Sequence, residues 1–199
     1  MTKVKTKPVR KQYDKTNNKR RLKHDQSKNH TKIFDNHIKY EFEDKDVDKT
    51  METMTKDPYV HHVPILTGGI GYDGVRTFYS NSFVGKMPND TKFVQISRTV
   101  DKNQVVDELI ASFTHDIEIP ALLPGVPPTG KYVELPHVVV MKFKGNKIAH
   151  EHIYWDQASL LTQIGLLDKK GLPIAGIEQS KKLQELALSD KKKTQKKKL

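Results

Sequence analysis

The chain has no cysteine among its 199 residues, which removes disulfides and thiol chemistry from consideration and suits a reducing compartment. It also lacks any apolar run near the roughly 18 residues that span a bilayer, and its N-terminal segment has no apolar core of the signal-peptide kind. A soluble cytoplasmic protein is the expectation. Nuclear import through the basic ends, or peroxisomal import through the poorly matching Lys197-Lys198-Leu199, are weaker readings. Tryptophan occurs once, at Trp155.

Acid is in deficit overall, giving a formal charge of +11, but the excess is not spread evenly. Residues 1–32 carry twelve Lys/Arg against two acids and residues 190–199 carry six lysines against one, so the segment between them is net acidic at −4. The basicity belongs to the ends. With almost nothing apolar to bury, 1–31 and 189–199 are expected to be disordered tails flanking one domain at 32–188. Contact with nucleic acid through these tails is not favoured, since no aromatic side chains interleave with the charge.

Within the domain, Ile33, Phe34, Ile38, Phe42, Val47, Met51 and Met54 recur at helical spacing up to a break at Asp57-Pro58. Gly68-Gly69-Ile70-Gly71 lacks both the dinucleotide fingerprint and a Walker lysine, and reads as a turn. A helical face follows at Val75, Phe78, Tyr79 and Phe83. The second half holds two hairpins, 93–100 with 104–116 and 132–144 with 147–156, turning at Asp101-Lys-Asn103 and Gly145-Asn146. Arg98 and Glu108 are expected to pair across the first. Between the hairpins, 117–130 is too proline-rich for regular structure and too apolar for an idle loop, so it is expected to cap a cavity. Helices first and a strand meander afterwards define an α+β fold.

The densest chemistry lies at Lys147 to Gln157. Strand alternation puts His150, His152, Tyr154 and Asp156 on one face and Glu151, Ile153 and Trp155 on the other. The first face carries imidazole, phenol and carboxylate together, which points to acid/base chemistry. Asp156 also stands directly before a helical stretch, where it would serve as an N-cap. His150-x-His152 has the parity of a metal pair, but no third ligand can be placed, so no metal is expected.

From Tyr59 to about Leu186 the chain resembles the SnoaL-like polyketide cyclase family of the nuclear transport factor two-like superfamily. The residues that carry the resemblance are 57–69 (Asp-Pro-Tyr-Val-His-His-Val-Pro-Ile-Leu-Thr-Gly-Gly), 123–131 (Leu-Pro-Gly-Val-Pro-Pro-Thr-Gly-Lys) and 150–157 (His-Glu-His-Ile-Tyr-Trp-Asp-Gln) with Leu160, Gln163 and Gly165. The resemblance implies a cone-shaped α+β barrel with helices on a strongly curved antiparallel sheet, an apolar pocket and a homo-oligomer. It also implies cofactor-free chemistry on an apolar carbonyl compound, as in a cyclase, isomerase or hydrolase, with Asp156 matching the acid/base carboxylate. On that basis Asp156 and His152 are the candidate catalytic residues. Tyr59, His62, Phe113, His115, His137, Tyr154 and Trp155 are the candidate ligand contacts. The alternative is a non-catalytic ligand-binding or dimerisation module of the same fold, with basic tails on nucleic acid.

Overall fold

The computed structural model describes residues 27–196. In chain order these form α1 (27–42), α2 (Val47–Glu52), β1 (Met54–His62), β2 (Thr67–Ile70), α3 (Gly71–Phe78), a π-helical turn (Tyr79–Phe83), β3 (Lys92–Asp101), β4 (Gln104–Thr114), β5 (Tyr132–Lys144), β6 (Lys147–Trp155), α4 (Gln157–Gln163) and α5 (Glu178–Lys196). The strands make one mixed sheet in the order β2-β1-β6-β5-β4-β3, open at both edges. Every pairing is antiparallel except that of β1 with β6. The expected α+β architecture is therefore present, with an open sheet rather than a closed barrel and one parallel pair in its middle.

The chain leaves α2 directly into β1, where a longer helix was expected, and β1 pairs in parallel with β6. Asp46 caps α2 by accepting from the Lys49 N–H, and Met54 already belongs to the strand. Pro58 sits where the β1/β6 register is interrupted between Met54 and Tyr59, a place that tolerates a residue without an N–H. The glycine turn is a strand–helix joint. Gly68 has φ +138°, and a Cβ there would stand 2.0 Å from the Val60 carbonyl oxygen, while one on Gly69 would stand 2.3 Å from that of Gly74. Those close approaches are backbone packing.

Along β4, β5 and β6 the inward residues alternate with outward ones, and the core gathers on the inward face. Val105, Phe113, Val133, Leu135, Met141 and Ile148 are all fully buried there. Burying one such side chain is worth about 1.5–3 kcal/mol. Residues 115–131 fold back over this face, with the His115 carbonyl accepting from Gly130 N–H at 2.8 Å and Ile119, Ala121 and Leu123 buried. In the β3/β4 hairpin the register slips between Gln95 and Ser97, so Arg98 faces Asp107 and Glu108 faces Ser97. The expected Arg98–Glu108 pair is therefore replaced by a bidentate Arg98–Asp107 bond, both distances 2.6 Å.

Both expected tails reach into helices. Residues 27–31 belong to α1, and 189–196 continue α5, whose Lys, Leu, Glu, Gln and Ala content favours helix and whose Ser180 is buried. The remainder, 1–26 and 197–199, lies outside the described residues, as does the question of tail contact with nucleic acid. Among the described residues no helix is long and apolar enough to cross a membrane.

Candidate active site

A cavity of about 340 Å³ lies between α1, the π turn, the 115–131 segment and the inward face of the sheet. That volume suits a small organic ligand. Phe34, Ile38, Phe78, Phe83, Leu122 and Trp155 contribute apolar wall. Among the ionisable groups that interrupt it are Glu41 from α1, Tyr79 from the π turn and Glu151 from β6.

These groups meet because two periodicities converge. On α1, Phe34, His37, Ile38, Glu41 and Phe42 follow the i, i+3, i+4, i+7, i+8 pattern of a helix face, so His37 and Glu41 go wherever that apolar stripe goes. On β6, Glu151 shares its face with Ile153 and Trp155. The π turn, a form that recurs at functional sites, brings in Tyr79, which is 1% exposed.

His37 Nε2 is 2.9 Å from Glu151 Oε1 and 3.1 Å from Glu41 Oε1. The Tyr79 hydroxyl donates to the same Glu151 oxygen at 2.9 Å. The protonation of His37 follows from its other nitrogen. Nδ1 lies 2.5 Å from Thr53 Oγ1, whose only proton is directed to the Thr50 carbonyl at 2.6 Å, so Nδ1 must be a donor. Nε2 faces two carboxyl oxygens, and since the ionised Glu151 can only accept, Nε2 donates as well. His37 is thus an imidazolium: burial alone would lower its pKa, but Glu41 and Glu151 push it up to about 10.

The two carboxyls are driven apart. Burial raises Glu41, and the charge on Glu151 adds to this while His37 opposes it. Glu151 is also desolvated, yet the charge and hydrogen bond of His37, with the Tyr79 bond, hold it below the ordinary glutamate value. Burial, then Glu151 and Glu41, keep the Tyr79 phenol well above its usual range. The arrangement is one carboxylate, one carboxyl with an affinity for a proton, and a cation that joins them. One ligand atom each from His37, Glu41 and Glu151 lie within 4.8 Å of one another. Such a set suits a divalent cation if Nε2 gives up its proton, with the Thr53 contact fixing the ring.

The candidates read from the sequence divide into two groups. His62, Phe113, His137 and Trp155 line the cavity. Tyr59, His115, His152, Tyr154 and Asp156 do not. Asp156 is exposed and accepts from the Ser159 N–H at 3.0 Å, the N-cap of α4. His152 bonds the Tyr59 hydroxyl at 3.0 Å and stacks on His150, all on the outward face, where Tyr154 is 42% exposed. His115 is buried against Thr129, anchoring the covering segment. The reason is parity: the hydrophobic partners Ile153 and Trp155 choose the inward face, and Glu151 goes with them. His37, Glu41, Tyr79 and Glu151 were not singled out from sequence. The signal for two of them was present, as polar residues at core positions of an apolar helical stripe.

The helix-covered open sheet is the fold of NTF2-like proteins. Solved structures share it. A SnoaL-like protein from Jannaschia sp. CCS1 superposes with a TM-score of 0.55 at 19% identity, covering 69% of this chain and 94% of its own. An NTF2-like protein of unknown function from Burkholderia pseudomallei K96243 gives 0.54 at 14%, covering 69% and 98%. AclR from Streptomyces galilaeus gives 0.55 at 16%, covering 71% and 99%. These identities speak for the fold alone. No curated protein matches the chain in sequence. The family profile of SnoaL-like polyketide cyclases matches residues 37–164, from the site histidine to the end of α4, and the chain belongs to that family.

Proposed function

We propose that the protein is an acid–base enzyme that needs no cofactor and acts on a small apolar carbonyl compound held in the cavity. The observation that carries this reading is the pair of buried carboxyls, one favouring its charge and the other its proton, bridged by the imidazolium of His37. Two such groups side by side supply a base and an acid at one pH. In this reading the Glu151 carboxylate removes a proton from the carbon α to the carbonyl, and the Glu41 carboxyl delivers its proton to the carbonyl oxygen. The resulting enol returns its O–H proton to Glu41 as it either takes the Glu151 proton at another carbon, an isomerisation, or attacks a second carbonyl whose oxygen takes that proton, a ring closure. His37 and Tyr79 are positioning residues that hold Glu151 charged. Asp156 and His152, the earlier candidates, have no part in this scheme, because neither lines the cavity.

The test is a thermal-shift screen of diketones, lactones and hydroxyaryl ketones, followed by turnover assays on each stabilising compound with wild type, Glu151→Gln and Asp156→Asn. Turnover lost in Glu151→Gln and kept in Asp156→Asn is the expected result. The reverse would return the base role to Asp156, and stabilisation without turnover in wild type would make the protein a binding module. A turnover that needs added Zn²⁺ or Mn²⁺ and disappears with a chelator would assign His37, Glu41 and Glu151 to a metal instead. The expected homo-oligomer belongs to the same proposal. Tyr132, Val138 and Tyr154 leave apolar surface on the outward sheet face, and light scattering of the purified protein reads the oligomeric state.

A further inference from the structure

The cavity wall also holds two histidines that the acid–base scheme does not use. His62 is 2% exposed and His137 is 7% exposed, and both line the cavity. Their tautomers can be read from their partners. His62 Nδ1 is 3.0 Å from the Ala121 carbonyl and 3.1 Å from Thr67 Oγ1, and the Thr67 proton is itself directed to Ala121 at 2.7 Å. Neither partner has a proton to give, so Nδ1 carries one. His137 Nδ1 is 3.0 Å from the Leu135 carbonyl, which can only accept, so this ring is protonated there too. Burial holds both rings below the ordinary histidine value, so with Nδ1 protonated each is a neutral imidazole whose lone pair is on Nε2, at the edge remote from the backbone.

The surroundings of these two lone pairs are aromatic. His62 meets the rings of Phe78, Phe83 and Trp155 at 5.3–5.7 Å, and His137 stacks on the other side of the same region, 5.7 Å from Trp155. Four donors on the cavity wall are directed elsewhere. Tyr79 O–H goes to Glu151, Trp155 Nε1–H to Gln157 at 2.6 Å, Gln95 and Arg98 to Asp107. At the two histidines the wall therefore presents acceptors that a donor on the ligand can satisfy.

We infer that His62 and His137 form a hydroxyl-recognition subsite, with a ligand O–H donated to Nε2 and the reacting carbonyl at Glu41 and Glu151. The inference rests on the proposed function for the second half of that statement and on the histidine tautomers alone for the first. Neutral imidazoles in a desolvated wall accept a hydroxyl well and reject an ether or a hydrogen at the same place, because the lone pair then faces nothing.

Binding of matched aryl ketones that differ only in carrying O–H, O–CH₃ or H at one position tests it, by calorimetry on wild type, His62→Leu, His137→Leu and Glu151→Gln, with thermal melts to check folding. Wild type is expected to prefer the hydroxyl member by about tenfold or more over both others, the factor a desolvated hydrogen bond provides. The preference should fall to within about threefold in either leucine variant and persist in Glu151→Gln. Equal affinities across the three probes in wild type overturn the subsite, whether or not the leucine variants fold, and leave the acid–base reading standing. Turnover without hydroxyl preference has the same meaning. Hydroxyl preference without any turnover keeps the subsite and removes the acid–base reading, while no binding by any probe overturns both.

Discussion

Each face of β6 sets an ionisable residue beside an imidazole and a phenol, and the two put them to different use. Outward, His150 and His152 stack at 4.7 Å and the latter bonds Tyr59, in reach of water. Inward, Glu151 is 4% exposed, with a cation and a phenol on one of its oxygens and an apolar cavity beside it. The outward histidines keep contact with solvent, so little depends on how they pair. The inward glutamate has none, and its partners decide its charge. Residue type therefore says less than the surface on which the strand's hydrophobic members place it.

The comparison is broken most directly at Glu151. Its replacement by glutamine is expected to reduce turnover of any identified substrate by about 10²- to 10⁴-fold, the usual contribution of a general base, while His152→Ala on the other face leaves turnover unchanged. Steady-state kinetics on both variants decides this. His37→Leu comes next, because it removes the cation and leaves two carboxyls buried together. A loss of about 3–5 kcal/mol in urea unfolding is expected, partly recovered by the double variant that also carries Glu151→Gln.

The pH dependence of stability sharpens the same contrast with histidines alone. His37, raised from 6.5 to about 10 by its two glutamates against the effect of burial, gives stability that is complete below about 6.5 and is lost as pH climbs toward 10. His137, lowered by burial to about 4, gives stability that is complete above about 6.5 and is lost as pH falls toward 4. Stability should be greatest near pH 6.5 and fall on both sides. His37→Leu should flatten the alkaline limb and His137→Leu the acid limb, as read by thermal melts across pH. The smallest effect is at Asp156. Its change to alanine removes a helix cap worth about 1 kcal/mol and should leave turnover intact.

The elements were largely legible from pattern, because hairpin turns and alternating strands are local signals. Both hairpins fall within a residue or two of where Asn103 and Gly145-Asn146 place them. The site was only half legible. His62, Phe113, His137 and Trp155 sit on apolar stretches whose burial could be read, so their place at the cavity followed. Glu41 and Glu151 were passed over because a carboxylate is ordinarily a surface residue, and each could be recognised only from its neighbours: Phe34, Ile38 and Phe42 for one, Ile153 and Trp155 for the other. Tyr79 was legible as a member of the helical face with Val75, Phe78 and Phe83, but not as the partner of Glu151. Asp156 carried two meanings in the sequence, cap and base, and the geometry realises the cap.

The parallel pairing of β1 with β6 bears on how the protein is made. His62 lies beside Ile153 and Val60 beside Glu151, so the middle of the sheet joins segments some ninety residues apart in the chain. Contacts of that separation close late and slow folding. During synthesis, α1, β1 and the first hairpin emerge with His37 and Glu41 already present, yet β6 has still to follow. Until Trp155 leaves the ribosome, the two acidic halves of the cluster belong to separate pieces of chain. The pocket is thus a product of the last strand to arrive, and ligand binding reports a completed fold.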